Sequence, residues 1–246
     1  MLAAAQRADD DTGLGWTYAM LATFHAEFGP YDQVLTERYL ALEHFERAGD
    51  LTGQADAHMR VSDALCTGRF KYGAMLWDDL SDPEVRRRAS DGLTHAERAL
   101  ALHREQGNPG GAMWALLYCT FHHALLRDIE AARDCCEQGS ELARDRNNPM
   151  AQSFARCMMG FICQASGDLE GAIACFLEAL DIVPVSGPAS HGVRAETLAE
   201  LGETYQAAGD QRAARHAWQQ ALELYESLHH PAADQMRARL DQVPGS

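Results

Sequence analysis

Apolar and polar positions along the chain follow a helical rhythm and never the strict alternation of a β-strand, and near the C-terminus the same rhythm is written twice. Gly160 to Leu180 carries Gly160, Cys163, Ser166-Gly167-Asp168, Ala172, Phe176 and Ala179-Leu180. Gly202 to Leu222 carries Gly202, Tyr205, Ala208-Gly209-Asp210, Ala214, Trp218 and Ala221-Leu222. Each copy predicts two antiparallel helices. Small residues such as Gly202 and Ala214 let the helices approach, while Tyr205 and Trp218 fill the space beside them. The Gly-Asp step ends one helix and caps the next.

This unit resembles the tetratricopeptide repeat, a helix-turn-helix motif with a period of about 34 residues. The resemblance implies an all-α solenoid of about five helix pairs with a C-terminal capping helix, forming one elongated domain over residues 1–246. The repeats are expected near 13–50, 51–108, 109–148, 149–187 and 188–230, with a cap at 231–243 that turns Met236 and Leu240 to one face. The first copy keeps Tyr18, Leu21-Ala22, His25, Gly29 and Ala41-Leu42. The third keeps Cys119, His123, Arg127-Asp128, Ala132 and Cys136. The second is broken. Its first helix, near Thr52 to Cys66, is expected to stop at Thr67-Gly68, and its closing Ala99-Leu100 comes late. An insertion at 69–91 is therefore expected, carrying Phe70, Tyr72, Met75, Leu76 and Trp77, with a new helix opening at Ser81-Asp82-Pro83-Glu84.

Charge narrows the function classes. The formal net charge is −15, and Lys71 is the only lysine, so the chain is not expected to touch nucleic acid directly. The acidic surplus, including Asp9-Asp10-Asp11, reads as a solvated surface. No apolar run is long enough to span a membrane and no charged-then-apolar leader precedes the first helix, so a soluble, cytoplasmic protein is expected. The odd number of cysteines, Cys66, Cys119, Cys135, Cys136, Cys157, Cys163 and Cys175, reads as free thiols in a reducing compartment. Cys119, His122 and His123 share a spacing that can present metal ligands, but Cys119 and His123 occupy apolar repeat positions, so no metal is expected. No phosphate loop, His-Glu-x-x-His or Gly-x-Ser-x-Gly pattern occurs. The chain is read as a non-enzyme without cofactors.

In the tetratricopeptide family the concave surface is formed by set positions of each first helix. Carried over, they are Trp16, Ala19, Thr23, Ala26 and Glu27 in the first repeat, and Ala55, His58, Ser62, Leu65 and Cys66 in the second. The third gives Trp114, Leu117, Phe121, Ala124 and Leu125, and the fourth Phe154, Cys157, Phe161, Gln164 and Ala165. The fifth is polar, with Glu196, Ala199, Glu203, Gln206 and Ala207. An aromatic mid-groove results. The binding residues expected from it are Trp16, Leu65, Trp114, Leu117, Phe121, Phe154, Cys157, Phe161 and Gln164. Two alternatives stay open beside it: tight curvature that buries these side chains against each other, and a lid formed by the insertion.

A further resemblance rests on Ala41-Leu42-Glu43-His44-Phe45-Glu46-Arg47-Ala48-Gly49-Asp50 with Gly53-Gln54-Ala55, and on Leu201 through Asp210 with Leu224-Tyr225-Glu226. These segments are similar to the C-terminal repeat domains of the Streptomyces antibiotic regulatory protein family and of the large LuxR-type ATP-binding regulators of actinomycetes. That resemblance implies a sensor or assembly arm of a transcriptional regulator, taking a peptide, a partner segment or an apolar small molecule in its groove. The other reading is a free-standing protein-interaction scaffold, which admits a homodimer.

Overall fold

The computed structural model describes residues 10–28, 31–70, 83–184, 187–230 and 232–242. Among the described residues every regular element is an α-helix, and there is no strand. In chain order they are α1 (Asp11–Phe28), α2 (Tyr31–Ala48), α3 (Leu51–Phe70), α4 (Pro83–Glu105), α5 (Pro109–Leu125) and α6 (Ile129–Asp145). They continue with α7 (Pro149–Ala165), α8 (Leu169–Ile182), α9 (Pro188–Ala207), α10 (Gln211–Ser227) and α11 (Ala232–Gln242). Contacts are densest within the hairpins α1–α2, α3–α4, α5–α6, α7–α8 and α9–α10. The odd-numbered helices α1 to α9 also touch their successors along the stack, which makes them the inner, concave layer.

One turn chemistry recurs at six junctions among the described residues. A residue in the left-handed region ends a helix, and the Asp or Asn after it starts the next: Gly49-Asp50, Gly107-Asn108, Arg127-Asp128, Asn147-Asn148, Gly167-Asp168 and Gly209-Asp210. The cap carboxylate or amide oxygen accepts from the backbone three residues on, as in Ala213 N to Asp210 Oδ1 at 2.9 Å and Gly171 N to Asp168 Oδ1 at 2.9 Å. Each such cap is worth about 1 kcal/mol.

Inside the C-terminal hairpins, glycine receives an aromatic ring. A Cβ on Gly202 would collide with Trp218, and one on Gly160 would meet Phe176 at 2.8 Å. Both rings are fully buried. Ala132, Cys136, Met158, Phe161, Ile162, Ala172 and Phe176 form one apolar cluster, and Ala214, Trp218, Ala221, Tyr225 and Met236 belong to the next. Through Met236, with Leu240 packed beside it, α11 closes the last hairpin.

In the second hairpin a new helix opens at Pro83, as the Ser81-Asp82-Pro83-Glu84 signal predicts, but the expected stop before it is corrected. α3 runs to Phe70 instead of ending at Thr67-Gly68, and residues 83–91 belong to α4. Proline at the first helical position and an Arg87 paired with both Glu84 and Asp91 support this early start. Tyr72, Met75, Leu76 and Trp77, the body of the expected lid, lie outside the described residues. At the N-terminus, Asp10 is exposed, as expected of a solvated run, and Asp11 is half-buried, and both also make structural bonds. Asp10 accepts from Gly13 N at 2.9 Å, and Asp11 binds His44 at 2.7 Å. That hydrogen bond, ahead of the Arg47 guanidinium, holds the Asp11 carboxyl below its ordinary value.

Candidate functional site: an apolar groove between the first and second hairpins

α1 is apolar on more than one face. One set of its positions, Leu14, Thr17 and Ala22, is buried. A second stripe, Trp16, Met20 and Phe24, repeats every four residues and covers about 12 Å of helix. These side chains stay 40%, 58% and 56% exposed. They form one wall of a cavity of about 490 Å³, together with Ala19 and Thr23. Ala41 of α2 lines it, and Asp56, Ala57 and Arg60 of α3 form the facing wall. Trp16 is braced edge-on against the buried ring of Phe45, with centroids 5.0 Å apart.

Polar contacts fix this frame. Arg38, at the cavity margin, is buried and donates to Asp63 at 2.9 Å and to the Arg60 carbonyl. The Tyr118 hydroxyl of α5 donates to the other Asp63 oxygen at 3.2 Å. One carboxylate thus ties α2, α3 and α5. His25 Nδ1 and Glu37 Oε2, 2.8 Å apart, join α1 to α2 at the far end.

Farther along the concave layer the expected binding residues fare differently. Leu65, Leu117 and Cys157 are buried, and Phe121 and Phe161 are 2% and 3% exposed. Phe161 lies edge-to-face on Phe176 at 5.3 Å, inside its own hairpin. These two rings are core, and the expected convergence of Trp114, Phe121, Phe154 and Phe161 on one open concavity does not occur. Trp114 and Phe154 are half-buried against each other, with centroids 5.9 Å apart. Gln164 donates to Thr204 Oγ1 at 2.6 Å, and Cys157 meets Thr197 at 3.2 Å, so polar bridges to α9 occupy the inner face. The cavity left between α7 and α9 is about 20 Å³, the size of one water. Side chains packed against one another close the mid-groove. Of the expected binding residues, Trp16 alone lines the large cavity. Met20 and Phe24 were missed, although their spacing of four from Trp16 was there to read.

The Cys119, His122 and His123 grouping also disperses. Cys119 shares a thiol hydrogen bond with Cys135, which pushes Cys119 up and Cys135 down. His122 faces Ser62 at 2.9 Å, and His123 lies 3.6 Å from Asp128. Among the described residues no three His, Cys, Asp or Glu side chains gather as metal ligands. No helix among them is long and apolar enough to cross a membrane.

The turn chemistry and the glycine-aromatic hairpins have a counterpart in known families. Residues 152–227 match the tetratricopeptide repeat. The matched stretch covers α8 and α10 whole, with most of α7 and all of α9. No curated protein matches the sequence. Among solved structures, the fold is similar to BtubC (BKLC) from P. vanneervenii, at 16% identity and a TM-score of 0.60, over 93% of this chain and 88% of that one. It is also similar to the Rap protein solved in complex with competence and sporulation factor, at 12% identity and a TM-score of 0.58, over 93% of this chain and 74% of that one. At these identities the likeness is one of fold.

Proposed function

We propose that the chain is a non-catalytic interaction arm that holds an apolar segment of a partner protein between α1 and α3. The observation that carries this reading is the exposed Trp16, Met20 and Phe24 stripe along a cavity of about 490 Å³. Large apolar side chains in a row on a concave wall mark an interaction site. The cavity is an open trough whose stripe repeats at helical spacing, which suits a chain segment that lies along α1. The similar Rap fold was solved in complex with competence and sporulation factor, and for this chain binding of a partner segment on the concave layer is proposed. An arm of this kind fits the regulator setting suggested by the sequence resemblance, where it would pass partner binding to other modules.

The test is a photo-crosslinking amino acid placed at Met20 and, as a control, at Leu177, which is 43% exposed on α8. Met20 should give a discrete crosslinked partner that Leu177 does not. With that partner in hand, Trp16→Ala should weaken binding about 30-fold, the equivalent of roughly 2 kcal/mol for a central aromatic anchor. Equal crosslinking from both positions, or unchanged affinity in Trp16→Ala, would refute the assignment.

A further inference from the structure

A ladder of imidazoles crosses the junction of α2, α3, α4 and α5. His58 on α3 and His95 on α4 face each other with their Nδ1 atoms 2.8 Å apart and ring centroids 5.0 Å apart. Such a contact requires one ring to donate and the other, neutral, to accept. If both rings were cationic, two donors would meet and repel. Tyr39 of α2 stands edge-on to His95 at 5.7 Å. From α5, the fully buried His122 reaches Ser62 of α3 at 2.9 Å and rests on Gly92 of α4, where even a Cβ would collide with its ring. The junction therefore has little slack to separate two like charges.

We propose that the His58–His95 pair is a proton-sensitive joint, which clamps α3 to α4 while neutral and loosens the α3 wall of the groove on acidification. The coupling follows from position, because His58 directly follows the groove residues Asp56 and Ala57 and precedes Arg60. Its regulatory consequence rests on the docking reading above, whereas the joint itself does not.

The charged and titratable groups that face the pair are Asp91 and Arg98 on α4, Tyr39 on α2 with Arg87 beyond it, and His122 with its neighbour His123 on α5. Burial dominates. It pushes His58 down to about 4, with His95 and Arg98 adding to the effect, and it lowers His95 against the opposing pull of Asp91. Burial also takes His122 to about 3. The folded-state values lie below the ordinary 6.5, so the stability these rings contribute is complete above that pH. It is lost as pH falls from there through about 4. Within that window each proton taken up on opening raises the opening equilibrium about tenfold per pH unit.

The experiment uses the full chain without a partner, so failure of the docking reading leaves it untouched. Histidine ring signals are followed by NMR from about pH 7.5 to 4.5, and amide exchange, corrected for its intrinsic pH dependence, is compared between α3 and α10. The expected result is that His58 stays neutral to about pH 5 and His95 titrates below its ordinary value, while opening of α3 rises at least tenfold, relative to α10, between about pH 6.5 and 5. His95→Gln, and separately His58→Gln, should lower that rise while the buried His122 keeps its share, whereas His216→Gln, an exposed position on α10, should leave it unchanged. Rings that titrate at their ordinary value, or a rise shared equally by α3 and α10, would overturn the proposal. Should both variants fail to fold, the wild-type ring titration decides alone.

Discussion

From α7 to α11 the hairpins are closed by glycine against a buried aromatic ring, and Gly160 with Phe176 and Gly202 with Trp218 sit at matching places in successive repeats. From α1 to α5 the same device recurs, with the buried Phe45 seated against Gly15 and Gly53, but directional polar bonds are added to it. There, Arg38, Asp63 and Tyr118 share one carboxylate across three helices, and histidines meet across two more contacts. The same end leaves Trp16, Met20 and Phe24 exposed. Packing by shape makes a rigid, repetitive stack. Directional polar bonds added to shape packing hold the helices in place while a row of apolar side chains stays exposed, and they add a dependence on protonation that shape packing alone lacks.

The largest expected effect strikes the regular half. Gly202→Leu places a branched side chain where a single carbon already collides with Trp218. Trp218 is fully buried and cannot swing aside. A loss of about 3 kcal/mol is expected, at the upper end of overpacking costs, read from urea denaturation. A loss below about 1 kcal/mol would mean that α9 and α10 can part, and the contrast between the two halves would weaken.

Arg38→Met addresses the other half. The side chain is nearly isosteric along its stem, but it strips Asp63 of its charge partner at 2.9 Å and removes the side-chain donor from the Arg60 carbonyl. Removing one member of a largely buried pair leaves the other charge uncompensated, and a cost of about 2 kcal/mol is expected because Asp63 keeps some solvent contact. In a stack where each repeat touches only its neighbours, the loss should stay local. Amide exchange in α2 and α3 should accelerate while α8 and α10 keep their protection; uniform acceleration would show that the two halves unfold as one unit.

The two halves also differed in how far their sequence could be read. Repeated motifs exposed the C-terminal hairpins because Gly, Gly-Asp and Ala-Leu recur at fixed offsets, each with a local physical meaning. Arg127 and Asn147 occupy turn positions that glycine fills elsewhere, with φ of 65° and 48°, which is why the middle repeats matched only weakly. The groove was read through position rules, and Trp16, Ala19 and Thr23, which those rules put on the concave face, line the cavity. They failed for Phe121 and Phe161, because a helix position fixes a direction and not the depth of the neighbour that fills it. Partnerships such as His58 with His95, or Tyr118 with Asp63, span 37 and 55 residues. No local pattern encodes them.

A smaller effect sharpens the comparison from within the regular half. Gly192 lies on α9, the same helix as Gly202, yet a Cβ there would meet nothing within 4 Å. If glycines in this half are there for shape, Gly192 lacks that reason, and only its conformational freedom distinguishes it from alanine. Gly192→Ala should therefore stabilise by about 0.5 to 1 kcal/mol, the helix-propensity difference, largely by reducing the freedom of the unfolded chain. The measurement is the same urea denaturation, with an unchanged slope as evidence that the native contacts are intact. A destabilised Gly192→Ala would place a close neighbour over the start of α9, and the tight approach seen at Gly202 would then extend along the whole helix.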